Sequence, residues 1–117
     1  MQETQLGYVI KFFADMDKAV KFHRDVLGLT LKFKSPGWSE LVTGLTTLSP
    51  HPASDKNPAG KVELGFSVPD VEAFYRDDMS AKGVLFSMPP RKQDFGGVLA
   101  QFVDSEGAHC SVGAEAA

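Results

Sequence analysis

Hydrophobic and polar positions along the chain fall into two series of similar design. Leu6 to Phe13 (L-G-Y-V-I-K-F-F) is aromatic and β-branched and predicts a strand. Asp15 follows as a helix N-cap. Met16, Ala19, Val20, His23, Val26 and Leu27 then recur at helical spacing, with Phe22 beside them, and Gly28 ends the helix in a left-handed C-cap. Leu29–Phe33, Trp38–Val42 and Leu45–Leu48 read as strands, divided by Ser35-Pro36-Gly37 and by Gly44. Pro50 and Pro52 cannot donate to a central ladder and are expected to stop the last of them.

Residues 51–60 (H-P-A-S-D-K-N-P-A-G) read as a linker. The pattern then restarts: a strand over Lys61–Val68, a cap at Asp70, Val71, Phe74, Tyr75 and Met79 or Asp78 along the apolar side of a second helix, and Gly83 at its end. Val84–Ser87 reads as a strand. Residues 88–97 (M-P-P-R-K-Q-D-F-G-G) read as a long irregular loop, expected to act as a mobile flap carrying Arg91 and Lys92. Val98–Val103 and Ala108–Val112 are strands around the turn Asp104-Ser105-Glu106-Gly107, and the tail from Gly113 is expected to fray.

The predicted order is β-α-β-β-β, linker, β-α-β-β-β, an α+β chain of two βαβββ modules. Module one covers about 5–50 and module two about 61–113 of a single domain, 1–117. Asp15 and Asp70 lie 55 residues apart, as do Gly28 and Gly83, whereas the tetrapeptides F-H-R-D and F-Y-R-D are offset by 52. The shared order of elements therefore carries more weight than the shared letters.

Composition narrows the function classes. An apolar fraction of 43% and a charged fraction of 23% are ordinary globular usage and exclude disorder and coiled coil. The net charge is −3, from 12 basic and 15 acidic residues with no basic block, so no nucleic-acid partner is expected. No apolar run is long enough for a membrane span. The polar start Met1-Gln2-Glu3-Thr4-Gln5 lacks a secretory pattern, and a single cysteine, Cys110, fits a reducing compartment; a cytoplasmic protein is expected.

Strand alternation picks out candidate chemistry. Glu63, Gly65 and Ser67 share one face of the fifth strand, and Val62, Leu64, Phe66 and Val68 share the other, the expected core side. A carboxylate beside two small residues is a site candidate, against the alternative of a solvated strand-face glutamate. Trp38, Phe12 and Phe95 are the aromatic candidates for stacking on a planar ligand, against a core-filling role. His23 reads as a hydrogen-bonded residue at the core edge. Cys110 reads as a small hydrophobe facing the helices.

The segment D-M-D-K-A-V-K-F-H-R-D-V-L-G-L, the D-S-E-G turn and V-E-L-G-F-S-V-P-D-V-E-A-F together resemble the glyoxalase / bleomycin-resistance / extradiol-dioxygenase (vicinal oxygen chelate) superfamily over nearly the whole chain. The resemblance implies paired βαβββ modules whose curved mixed sheet lines a cleft, a homodimer, and, in metal-using members, a divalent ion held from the first and last strands of each module. Those positions hold Tyr8 in the first strand, Ser49 or His51 in the fourth, Glu63 in the fifth and Ser111 in the last, with His109 two residues before Ser111 on the same face. A phenol with a pKa of about 10 is a poor ligand for divalent ions at neutral pH. Serine at 111 replaces the family glutamate. The best metal set is His51, Glu63 and His109, for Zn, Ni, Mn or Fe.

The eroded set favours a metal-free site. The function implied is binding of a small aromatic or polar organic molecule, with Tyr8, Phe12, Trp38, Ser67, Phe95 and Ser111 as ligand-binding residues. The alternative is a metal-dependent lyase, isomerase or dioxygenase, with Glu63 moving a proton.

Overall fold

The computed structural model describes residues 2–94 and 96–114; Phe95 and the last three residues of the tail lie outside the described residues. The strands are β1 Gln5–Phe13, β2 Thr30–Lys34, β3 Ser39–Thr43, β4 Thr46–Pro52, β5 Val62–Ser67, β6 Phe86–Lys92, β7 Val98–Val103 and β8 His109–Ala114. Helix α1 spans Met16–Lys21 and helix α2 spans Val71–Ala73.

The chain divides into two compact units, Gly7–Val62 and the residues from Glu63 onward joined by those up to Leu6. In the first, the strands run in the order β2-β3-β4-β1; in the second, β6-β7-β8-β5. β1 pairs in parallel with β4, and β5 with β8, while the other pairs within each unit are antiparallel. The two modules thus share one topology, as the element order predicts. The N-terminal residues are tied to the second unit through Gln2. Its side-chain amide donates to the Asp70 carbonyl and accepts from the Asp70 amide, each at 2.8 Å.

Both helices start where their caps predict. The Asp15 carboxylate accepts from Lys18 N at 3.1 Å, and that of Asp70 from Ala73 N at 3.0 Å, each satisfying an orphan amide of the first turn. Gly28 and Gly83 adopt φ of 77° and 78°, the left-handed geometry that a side chain would strain. The helices are not uniform, however. Each widens into π-type winding at the Phe of its F-x-R-D tetrapeptide, over Phe22–Val26 and Phe74–Met79. Leu27 N bonds Phe22 O at 3.2 Å and Ser80 N bonds Tyr75 O, both five residues back.

The tetrapeptides, offset by 52 residues, nevertheless take the same winding in both modules. The α-helical part is three residues shorter in module two, six against three, and a 3-10 turn over Ser80–Lys82 restores those residues before Gly83. Arg24 reaches Asp25 at 2.8 Å and Arg76 reaches Asp77 at 3.0 Å, in the same exposed fork.

Two prolyl stretches depart from expectation. β4 does not stop at Leu48 but continues through Pro50 and Pro52, pairing Lys11↔Pro50 and Phe13↔Pro52. Ala53 N donates to Phe13 O at 2.8 Å. Because amides alternate sides along a strand, both prolyl nitrogens then point away from β1, where pairing with β3 extends only as far as Leu48. Their missing N–H groups break no ladder bond. Likewise the expected flap at 88–97 is largely strand: β6 runs to Lys92, leaving a tight turn in which Gln93 N bonds Gly97 O at 2.8 Å. Pro89 and Pro90 are accommodated because β6 is the terminal strand of its module and is bulged on either side of Met88.

The second-module core comprises Val68, Val71, Phe74, Ala100 and Val112, flanked by Phe66, Phe86 and Phe102. Val62 and Leu64, read as core, are 49% and 41% exposed. Val71 and Phe74 pack with Val68, Ala100 and Val112, and neither Val62 nor Leu64 belongs to that cluster. Leu64 instead lines an apolar cavity of about 260 Å³ with Phe66, Phe74, Met79, Phe102 and Cys110. Burial in the first unit centres on Leu41, Val20 and Ala19, with Ser39 Oγ set against Met16 Sδ at 3.3 Å.

Candidate functional site

The register assigns every candidate to a sheet face. In module two, Gly65 pairs with Ser111 and Ser111 with Gln101. Phe66, Phe102 and Val112 lie on the helix side with the core, as does Cys110, paired with Phe102. By alternation Glu63, Gly65, Ser67, His109, Ser111 and Gln101 share the face turned away from the helix. Glu63 is only 8% exposed and Ser111 only 4%. The Ser111 hydroxyl donates to Glu63 Oε2 at 3.1 Å. Two positions named from the sequence thus meet: the carboxylate of β5 and the hydroxyl of β8.

His109 is exposed on the same face, and its Nδ1 lies 3.2 Å from Ser87 Oγ. Ser67, two residues beyond Gly65, borders a separate shallow cavity of about 230 Å³ with Glu3, Gln5, Val68 and Pro69. Cys110 is buried, with Sγ 4.0 Å from Asp104 Oδ2. Burial pushes its thiol pKa up, and the negative charges of Asp104 and Glu63 push in the same direction. A thiol held protonated is a poor nucleophile, in keeping with its reading as a small hydrophobe.

In module one, Phe13 contacts the His23 ring at 5.6 Å between centroids, and the Lys11 ammonium sits 5.7 Å over Phe13. Val9, Lys11 and Phe13 therefore face the helix, and Tyr8, Ile10 and Phe12 face away, which fixes the register of β1 as counted from Asp15. His23 Nδ1 donates to Ala19 O at 2.7 Å, the hydrogen-bonded core-edge role expected of it.

His51 pairs with Phe12, and the two rings meet edge-on at 5.9 Å. Its Nδ1 is 3.1 Å from Ser49 O, an acceptor, so Nδ1 carries the hydrogen and Nε2 carries the lone pair. Ser49 Oγ donates to Ser39 O at 3.0 Å, so that hydroxyl is committed to the backbone. Trp38 stacks on Phe33 at 4.9 Å and donates through Nε1 to Glu40 Oε2 at 3.2 Å. Phe95 lies outside the described residues.

Three residues escaped the sequence reading: Gln101, Ser87 and Glu40. Gln101 had a signal, a lone amide in V-L-A-Q-F-V at the parity of Val103. Glu40 alternates with buried Ser39 and Leu41. Ser87 had none, because its link to His109 spans 22 residues.

Donor chemistry tests the implied metal. Among the described residues, no three His, Cys, Asp or Glu side chains gather closely enough to hold a metal ion. His51 belongs to the first unit and Glu63 and His109 to the second. Among the described residues, His51, Glu63 and His109 do not form such a group and do not fit a divalent centre. No helix among the described residues is long and apolar enough to cross a membrane.

Comparison with known proteins places this geometry. A hypothetical protein from Bacillus halodurans C-125 superposes with a TM-score of 0.80 at 15% identity, over 99% of this chain and 97% of that chain. A variant of Streptomyces coelicolor methylmalonyl-CoA epimerase in complex with 2-nitronate-propionyl-CoA gives 0.77 at 21% identity, over 97% and 95%. An NAD-dependent benzaldehyde dehydrogenase from Legionella pneumophila gives 0.74 at 20%, over 97% and 99%. At such identities the likeness establishes the fold alone. No curated protein matches the chain by sequence. Residues 5–110 match the profile of the Glyoxalase/Bleomycin resistance protein/Dioxygenase superfamily, and the chain belongs to that superfamily.

Proposed function

We propose that the second-module sheet face around Glu63 and Ser111 binds a small organic molecule, with this pair as its polar anchor. The observation that carries the reading is a carboxylate withdrawn from water and met by one neutral hydroxyl. Burying a charge is costly unless it is paired, so such groups are retained where a ligand uses them. The carboxylate orients toward a ligand's hydrogen-bond donors, and Gln101 beside Ser111 adds a neutral amide.

The site works without a resident metal in this reading, because the donor set does not converge. His51 carries its hydrogen on Nδ1 and leaves the Nε2 lone pair for a metal, a feature that supports the metal-dependent alternative. A homodimer in the cytoplasm is the proposed setting.

The test is a panel of small aromatic and polar compounds titrated into the protein while backbone amide resonances are followed. Binding is expected to move Gly65, Gln101 and Ser111 together. Shifts confined to other surfaces, or no shifts from a broad panel, would refute the proposal.

A further inference from the structure

We propose that this face selects ligands bringing a positively charged nitrogen, an ammonium or amidinium group, to Glu63 over neutral or anionic ligands of the same shape. The inference rests on the binding role just proposed and names the ligand class.

A carboxylate offers about four acceptor sites, and Ser111 occupies one of them. Glu63 enters none of the ion pairs among the described residues. Its neighbours on the face, Gly65, Ser111 and Gln101, are uncharged. His109 shares the face but lies beyond ion-pair range of Glu63, and its Nδ1 is engaged by Ser87. Arg91 and Lys92 are on β6, with β7 and β8 between them and β5. Three strand spacings put them roughly 14 Å away, beyond the screening length of about 8 Å at physiological salt.

Lys61, two residues before Glu63, turns its ammonium to Asn57 Oδ1 at 2.8 Å, so among the described residues no cation pairs with the buried carboxylate. A ligand cation fills that role through a short, charge-assisted hydrogen bond. An anionic ligand meets like charge in a poorly solvated place.

Benzamidine, benzamide and benzoate form the probe set: one ring with a cationic, a neutral or an anionic head. Titrated into the full chain and followed by amide shifts, benzamidine is expected to bind at least about tenfold tighter than the other two, moving Gly65, Gln101 and Ser111. Glu63→Gln, checked for an unchanged melting curve, is expected to reduce benzamidine to the affinity of benzamide. Should that variant not fold, salt dependence in the wild type decides: rising salt weakens benzamidine and leaves benzamide unchanged.

Equal affinity of benzamide or benzoate at this face overturns charge selection and leaves the binding role standing. A preference for benzamidine that survives Glu63→Gln, or shows no salt dependence, removes Glu63 as its cause. Absence of shifts at this face with all three probes overturns both readings.

Discussion

The Ser111 hydroxyl donates to Glu63 Oε2 across 3.1 Å, joining residues 48 positions apart in the chain. Each is buried, so the bond has little competition from water. Replacing Ser111 with Ala strips the carboxylate of this donor. The expected cost is about 1.5–3 kcal/mol, the range for hydrogen bonds to charged groups. Urea unfolding measures it, and a loss below roughly 0.5 kcal/mol would show that the contact carries no such bond. Glu63→Gln is expected to cost less, since an amide oxygen still accepts.

The two helix caps give a paired prediction. Asp15→Ala and Asp70→Ala are each expected to destabilise by about 1 kcal/mol. Gln2→Ala removes both bonds to the Asp70 backbone and leaves the cap. It is therefore expected to add to Asp15→Ala and to couple with Asp70→Ala. A double-mutant cycle on denaturation midpoints reads the difference.

Cys110 provides a pH signature. Its folded pKa is raised, chiefly by desolvation and then by Asp104 and Glu63. The folded state thus holds the thiol proton more tightly than the unfolded chain. The resulting stability is fully present below the ordinary thiol value and is lost as pH rises through the folded pKa. Thiol labelling is expected to be slow in the native protein even in mildly alkaline buffer, and rapid in urea. Equal rates in both would place the thiol in solvent.

Asp25 and Asp77 run the other way. Each is held below the ordinary carboxylate range, first by the hydrogen bond from the neighbouring arginine. Their contribution is present above the unfolded carboxylate value and is lost as pH falls through the folded one. Both are solvent-exposed, so the expected readout is site-specific carboxylate titration by NMR, with both midpoints shifted down and moving back at high salt.

Because the His51, Glu63 and His109 side chains do not form a donor group, added Zn, Ni, Mn or Fe is expected to leave the melting temperature unchanged at stoichiometric metal. A rise that His51→Ala and Glu63→Gln each abolish would restore a metal-dependent reading.

Landmarks set by local chemistry were legible in the sequence. Asp15 and Asp70 cap helices, Gly28 and Gly83 end them, and the parity of β5 and β8 put Glu63 and Ser111 on one face. Failures came where tertiary context overrode a local rule. Pro89-Pro90 and Pro50-His51-Pro52 read as chain breaks because proline lacks a donor. That matters only when the missing N–H faces a partner strand, and edge position and alternation decide this, not composition. Val62 and Leu64 stay exposed because they lie outside the cluster that the second-module core gathers, which periodicity does not encode. That Glu63 and Ser111 bond at all required knowing that β5 and β8 are neighbours.

The prolyl edge of β6 bears on how copies of this chain can associate. An outermost strand ordinarily invites another chain to extend the sheet through its unpaired backbone groups. Pro89 and Pro90 offer no hydrogens there, and the bulges around Met88 skew the remaining ones. A second copy cannot zip continuously onto this margin, so self-association by sheet extension is blocked at β6. Any association at this margin has to be built through side chains instead. Substituting both prolines by Thr is expected to convert this margin into a sticky one, visible as concentration-dependent aggregation in light scattering with the fold intact.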